Sequence, residues 1–297
     1  MLAVRIHGYG GPDVLRVEEV AKPTPKKDQV LLKVRAASIN PIDWKIRRGL
    51  LANVIPISFP RILGRDCSGE TAGGDLVAGV SDPRADGTHA EYSLLPENQM
   101  ATVPAGLDAA SAASLCISGL SAFIPLVEIA AVKQGMRVLV HAGAGGVGSL
   151  AIQIARHFGA EAIATASAVN REYCLSLGAS RVIDYRNEDF LEAKPFDVVL
   201  DTIGGETHVR SISALAKGGI LVALQAAPIP AASRREDVRI VMAQIQPTRE
   251  RLEQIFRWAA SGVLRAQVTQ TFPLENAAQA YAASESGHAR GKIVLLL

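Results

Sequence analysis

Apolar and polar positions follow two rhythms along this chain. Residues 2–7 and 30–36 alternate, or run apolar with β-branched side chains, and predict strands. GYGGPD and KPTPKKD separate them with the residues that turns require. Dense Pro and Gly punctuation continues to Gly87, after which AEYSLL (90–95) predicts a further strand. From Ser111 the pattern changes: residues 111–132, SAASLCISGLSAFIPLVEIAAV, are Ala- and Leu-rich with few breakers and predict helix.

A regular alternation follows. RVLVHA (137–142) is a short apolar run of the kind buried on both faces of a sheet. Val147, Leu150, Ala151, Ile154, Ala155 and Phe158 then form one helical stripe that Gly159 closes. Strands are predicted at 161–165, 181–185, 196–202 and 219–224, and helices at 170–178 and 249–261. A loop over the sheet is expected at 226–233 and a terminal strand at 291–297. Strands alternating with helices predict a doubly wound parallel sheet, an α/β fold, after a β-rich region.

Composition narrows the function classes. The 297 residues suffice for two hydrophobic cores. A balance of 31 basic against 29 acidic residues, net +2, creates no basic field, so no nucleic-acid partner is expected. No uninterrupted run of apolar residues reaches the ~18 that a membrane helix needs, so no membrane partner is expected. The 3 cysteines, Cys67, Cys116 and Cys174, are far apart and form no C-x-x-C pair, which fits a reducing compartment. With no apolar signal core at the N-terminus, the expected location is the cytoplasm.

The most specific chemical signal is Gly143-Ala144-Gly145-Gly146-Val147-Gly148. It directly follows a predicted strand and opens a predicted helix inside a βαβ unit, the context in which G-x-G-x-x-G binds a dinucleotide pyrophosphate. Residues without bulky side chains let the backbone approach the phosphates, whose charge the helix N-terminus favours. A site for NAD usually carries an acid at the end of the second strand, for the ribose 2′-OH. Here residues 164–171 read ATASAVNR, without an acid. Ser167 and Arg171 can donate to a 2′-phosphate at roughly 1.5–3 kcal/mol per charged hydrogen bond, and Tyr185 can add its hydroxyl. The expected cofactor is NADP(H). Arg171 equally suits a solvated charge opening a helix, and Tyr185 a half-buried aromatic at a sheet end.

Several separated motifs now resemble one family. They are Gly10-Gly11-Pro12-Asp13-Val14-Leu15, residues 40–49 (NPIDWKIRRG), residues 63–69 (LGRDCSG), Gly119-Leu120-Ser121-Ala122, the 143–148 turn, Asp201-Thr202-Ile203-Gly204-Gly205 and residues 290–295 (RGKIVL). In this order they resemble the zinc-independent quinone oxidoreductases and NADPH-dependent enone reductases of the medium-chain dehydrogenase/reductase superfamily. The resemblance implies a GroES-like catalytic domain of residues 1–110 and 265–297, a Rossmann NADP-binding domain of residues 111–264, substrate between them, and a homodimer. It implies a small-molecule substrate, a quinone or an enone, reduced by hydride from NADPH.

By the same resemblance Asn40 holds the nicotinamide ribose and substrate oxygen, and Ser121 contacts the nicotinamide. Asp201 to Gly204, including Ile203, edge it, as do Leu224 to Ala226. Lys45 stands where many relatives carry Tyr; it either stabilises an enolate or donates a proton, or else faces solvent or binds phosphate. Lys292 either reaches a cofactor phosphate or is an exposed strand-end lysine. Asp43 is expected to cap locally or pair with Arg47 or Arg48. Zinc-dependent relatives carry Gly-His-Glu where this chain has Gly64-Arg65-Asp66, and a Cys where it reads Ser38-Ile39-Asn40-Pro41. Arg is no zinc ligand, so no metal is expected. The His residues show no metal-ligand spacing, and Cys67 reads as a buried filler. Residues 69–79 are shorter than the family's usual two-strand excursion, so a hairpin is expected to be lost there. The rival readings are a metal-dependent alcohol dehydrogenase and an NADPH-binding redox sensor or structural protein without turnover.

Overall fold

The chain opens with β1 (Leu2–Ile6), which pairs antiparallel with β2 (Arg16–Glu19). The long β3 (Gln29–Ile39) follows, then the short helix α1 (Pro41–Arg47), whose Pro occupies the first turn, where its missing N–H costs nothing. Next come β4 (Arg61–Ile62), β5 (Asp66–Glu70), β6 (Leu76–Val80), β7 (Tyr92–Pro96), β8 (Met100–Thr102) and helix α2 (Ala109–Phe123). This computed structural model describes residues 1–225 and 229–297. The shortened 69–79 segment closes β5 onto β6 as a tight antiparallel hairpin, with Glu70 opposite Leu76.

The parallel alternation begins at β9 (Arg137–Val140), followed by α3 (Gly146–His157), β10 (Glu161–Ala166), α4 (Arg171–Ser176), β11 (Arg181–Asp184), β12 (Phe196–Asp201), α5 (Gly205–Ala214), β13 (Leu215–Ala223) and β14 (Arg239–Met242). The sheet order is β11-β10-β9-β12-β13-β14, all parallel, so the chain reverses its direction of travel between β9 and β12. In such sheets ligands bind outside the carboxyl ends of the strands at this reversal. Apolar runs such as RVLV and FDVVLD form the central strands because helices cover both faces. Leu139, Ile163, Val199 and Leu221 are fully buried in their core.

The chain ends with α6 (Arg249–Ala260), β15 (Val268–Pro273), α7 (Ala277–Glu285) and β16 (Lys292–Leu296). β16 returns to pair antiparallel with β3, placing Ile293 opposite Ile39, while β5 pairs with the other edge of β3, placing Asp66 opposite Ser38. Two compact units result. One comprises Met1–Ile117, Pro247–Gly262 and Ala266–Leu297; the other comprises Ser118–Gln246 and Val263–Arg265. In the first unit Ile6, Ile39, Ile46, Leu63, Tyr281 and Leu295 share a core.

Several elements were not legible beforehand. β14 is a short strand, RIVM, with no buried residue, β15, VTQTFP, has low apolar content, and α7, AAQAYAASE, has little periodicity. The expected helix over 111–132 is α2 followed by a π-helical turn over Ile124–Ile129. Together, Ala109–Ile129 is long and apolar enough to cross a membrane by length and composition, although no unbroken apolar run exists, because its interruptions are mostly Ser and Gly, with Glu128 the single charge. Most of it is buried inside the protein, as for the core helix of a globular chain. The loop expected over 226–233 lies partly outside the described residues; 231–233 form a short 3-10 turn.

Candidate functional site

In the second unit, β9 leads through 141–145 into α3. Ala142 takes a left-handed φ of 52°, and Gly143 N donates to Thr165 O at 2.8 Å, which pins the turn to the end of β10. A Cβ on Gly148 would overlap Ala142 O and stand 2.7 Å from Gly143 Cα; one on Gly143 would stand 2.6 Å from Ala164 Cβ. These two glycines therefore permit the close packing of turn, strand and helix. A Cβ on Gly145 would meet only Ala142 O at 3.4 Å, an ordinary contact. The opening amides of α3, including Gly146 and Val147, have no carbonyl one turn back to bond, and Ala144 packs behind them at 7% exposure. Donors without intrahelical partners at a helix start, beside a turn no side chain blocks, fit a pyrophosphate.

Buried polar groups set the floor of this turn. Ser211 Oγ donates to Thr207 O at 2.6 Å, so it accepts from His141 Nε2 at 2.9 Å. That fixes the tautomer: His141 Nδ1 accepts from Thr165 Oγ1 at 3.1 Å, and the same oxygen accepts from Ala142 N at 3.2 Å. Burial pushes the His141 pKa down to about 4, so the ring is neutral. Thr202 Oγ1 donates to His141 O at 3.0 Å and ties in the next loop.

Asp201, expected beside the cofactor, is fully buried. Its Oδ1 accepts from Ile203 N and Gly204 N, each at 2.9 Å, and its Oδ2 pairs with His208 Nδ1 at 2.9 Å. The carboxylate shapes the 201–204 loop, and Ile203, 49% exposed, is the side chain that loop presents. Ser121 sits on α2 at 6% exposure. Ala226, expected to line the same face as Leu224, lies outside the described residues.

Parallel pairing sets Ala166 opposite Asp184, so Ser167 and Tyr185 follow the adjacent ends of β10 and β11. Tyr185 is 56% exposed. Arg171 is corrected: its Nη1 donates to Val182 O at 2.6 Å and its Nη2 to Glu188 Oε1 at 2.7 Å, so the guanidinium braces α4 against β11. A further exposed cation stands beside Tyr185: Arg186, whose guanidinium lies 5.7 Å from the Tyr185 ring. Its place two residues past the end of β11 carries no signal until the register of β10 and β11 is known.

In the first unit, the ends of β3, β5 and β16 meet around a buried polar cluster. Asn40, 3% exposed, donates through Nδ2 to Asp66 Oδ1 at 2.7 Å, and its Oδ1 accepts from Lys292 Nζ at 2.7 Å. Ser38 Oγ donates to the same Asp66 Oδ1 at 2.6 Å, and Ile117 N donates to Asp66 Oδ2 at 2.9 Å. His89 Nε2 donates to Ser38 O at 3.2 Å, which leaves His89 Nδ1 to accept from Tyr281 at 2.9 Å. Burial pushes the His89 pKa down to about 4. Asp43 caps α1 by accepting from Asn40 N at 2.7 Å, and burial with nearby Asp66 raises its pKa to about 7 against the pull of Lys292 and Arg65. Its other oxygen has no hydrogen-bond partner.

Neither alternative for Lys292 holds. At 6% exposure it is not a surface lysine, and its ammonium donates to Ile39 O at 2.8 Å and to Asn40, not toward a phosphate. Asp43 does not pair with Arg47, which instead pairs with Glu285 and donates to Gly10 O at 3.2 Å. Lys45 is half-buried, with Nζ 5.6 Å from the Trp44 ring centroid, and burial lowers its pKa. The residues do not fit a zinc ion. Arg65 occupies the ligand position and donates to Ser81 O, and burial raises the pKa of both the Cys67 and Cys116 thiols. Among the described residues no three His, Cys, Asp or Glu gather as a metal group.

Comparison with known proteins agrees with both units. Residues 26–105 match the family described as the alcohol dehydrogenase GroES-like domain, and residues 177–295 match one described as zinc-binding dehydrogenase. A quinone-oxidoreductase homolog of Spinacia oleracea is 31% identical over 99% of this chain and 98% of its own. An NADPH-dependent alkenal/one oxidoreductase of Arabidopsis thaliana is 35% identical over 97% of this chain and 77% of its own. The quinone oxidoreductase structure from Coxiella burnetii superposes with a TM-score of 0.91 at 35% identity, covering 100% of this chain and 99% of that one. The Escherichia coli quinone oxidoreductase, solved in complex with NADPH, gives 0.90 at 29% identity and covers 100% of both chains. This chain belongs to the quinone oxidoreductase and alkenal/one reductase group of the medium-chain dehydrogenase/reductase superfamily.

Proposed function

We propose that this protein is a zinc-independent, NADPH-dependent reductase of quinones or α,β-unsaturated carbonyls. The observation that carries the reading is the glycine cradle at the point where the chain reverses its direction of travel across the parallel sheet, with Ser167, Tyr185 and Arg186 rather than an acid after the ends of β10 and β11. Gly145, Gly146 and Val147 would hold the pyrophosphate, and Ser167, Tyr185 and Arg186 the 2′-phosphate. When bound, NADPH supplies a hydride for an electron-poor carbon. Asn40 donates a hydrogen bond to the acceptor oxygen as negative charge develops there. Lys45, its ammonium acidified by burial, returns a proton to the reduced acceptor. Ile203 and Ser121 bound the nicotinamide. β14 ends the parallel sheet and pairs only with β13 among the described strands, which supports a homodimer formed by edge pairing; light scattering tests it.

A panel of quinones, enals and enones assayed for NADPH oxidation tests the activity. Asn40→Ala is expected to lower kcat/KM and leave NADPH binding intact. The engagement of both ends of the Asn40 amide inside the first unit favours a second reading, an NADPH-binding sensor. Tight NADPH binding without acceptor-dependent oxidation across the panel would establish that instead.

A further inference from the structure

Lys292 is a buried ammonium that makes no ion pair among the described residues. A buried charge without a counter-charge in contact is costly, so its arrangement calls for a reason. The opposite charge, Asp66, is present, but at the far end of one amide. Lys292 Nζ meets Asn40 Oδ1 at 2.7 Å, and Asn40 Nδ2 meets Asp66 Oδ1 at 2.7 Å. The other Asp66 contacts, with Ser38 Oγ and Ile117 N, are both from donors and hold the carboxylate in place.

This arrangement has one stable orientation. Turning the amide by half a revolution would set its NH2 against the ammonium and its carbonyl against the carboxylate, reversing two charge-assisted bonds into two repulsions. A cation at the oxygen and an anion at the nitrogen also favour the dipolar resonance form of the amide, which sharpens it as a donor. Nδ2 carries two hydrogens. One is taken by Asp66; the other meets only long contacts, Ser38 O and Ser38 Oγ, both at 3.4 Å. Among the described residues it is a weakly engaged donor of this cluster, beside the third Nζ hydrogen of Lys292, whose other two go to Ile39 O and Asn40 Oδ1.

We propose that Lys292 and Asp66 are positioning residues that lock the Asn40 amide so that its second Nδ2 hydrogen is presented to the acceptor oxygen. The proposal rests on the role given to Asn40 above. β-Strand register delivers the lock: Ile293 opposite Ile39 brings Lys292 beside Asn40 from one edge of β3, and Asp66 opposite Ser38 comes from the other. The sequence separation of Lys292 and Asn40, 252 positions, explains why no local motif reveals it.

A double-mutant cycle tests it. Lys292→Met is expected to lower kcat by about tenfold or more, as misplacing a catalytic group does, with the NADPH dissociation constant unchanged. In an Asn40→Ala background the same substitution is expected to cost nothing further. An undiminished loss in that background, or no loss in the wild-type background, overturns the proposal. Lys292→Gln, which keeps a neutral donor, provides a folded counterpart if Lys292→Met does not fold. The second readout is independent of turnover: the side-chain NH2 resonances of Asn40, identified by their disappearance in Asn40→Ala, should shift in Lys292→Gln. Unmoved resonances overturn the lock. If Asn40→Ala retains full activity while the resonances shift, the catalytic role of Asn40 fails and the lock stands.

Discussion

The two units build their sites from different material. In the second unit the phosphate cradle is made of backbone: amides at the start of α3, a left-handed Ala142, and glycines whose hydrogens leave no room for a methyl. In the first unit the polar cluster is made of side chains on β3, β5 and β16, with Asn40, Asp66 and Lys292 each buried. A backbone site depends on local sequence, because six neighbouring residues create it. A side-chain network depends on strand pairing across the whole chain, and each member is stable only while the others are present. The first kind fails on added volume, and the second on the loss of one partner.

Gly148→Val should give the largest effect. Its side chain has no space against Ala142 O and Gly143 Cα, so NADPH affinity is expected to fall by about a hundredfold or more by calorimetry, roughly 2.8 kcal/mol or above. Gly145→Ala, facing only an ordinary contact, should bind nearly normally; equal losses in the two variants would break the distinction between packing and approach glycines.

Arg186→Ala should weaken NADPH by about tenfold and leave NADH unchanged, as expected for one charged hydrogen bond. Arg171→Ala should instead lower thermal stability, because its guanidinium braces Val182 O and Glu188. If Arg171→Ala alone carried the NADPH effect, the corrected placement of these two cations would be reversed.

Asp43 sharpens the contrast through pH. Its folded pKa, raised from 3.8 to about 7, means the native state holds a proton that the unfolded state releases. The associated stability is fully present below about pH 4 and is lost as pH rises through about 7, with a limiting slope of about 1.4 kcal/mol per pH unit. Urea unfolding of Asp43→Asn between pH 4 and 8 should lack this slope. His89 and His141 act oppositely. Their pKa values fall from 6.5 to about 4, so the stability tied to their neutral forms is present above pH 6.5 and lost as pH falls toward 4. The smallest loss of unfolding free energy is expected for Tyr281→Phe, which removes the hydrogen bond to His89 Nδ1 at a cost of about 1 kcal/mol.

Local pattern made much of this protein legible. The central parallel strands, α3 with its closing Gly159 and the phosphate turn all follow from contiguous residues, and each structure lies where the pattern predicts it. The absence of an acid after β10 was readable for the same reason. Arg171 shows where that reading stops: its direction depends on Glu188 and Val182, which only the packing of α4 on β11 brings near. Lys292 shows the same limit more sharply. Sequence offered a phosphate contact or an exposed strand end, and neither applies, because β16 pairs with β3 and carries the ammonium into the first unit's interior.

The sequence by itself determined the strand–helix alternation, the glycine cradle and the family to which the chain belongs, because these depend on periodicity and on steric limits acting between near neighbours. Tertiary structure alone decided which charges meet. Arg186 stands at the adjoining strand ends, Asp201 is turned inward to shape a loop, and Lys292 and Asp66 grip opposite ends of Asn40, because hydrogen-bond register between distant strands, rather than residue type, sets the distance between their side chains.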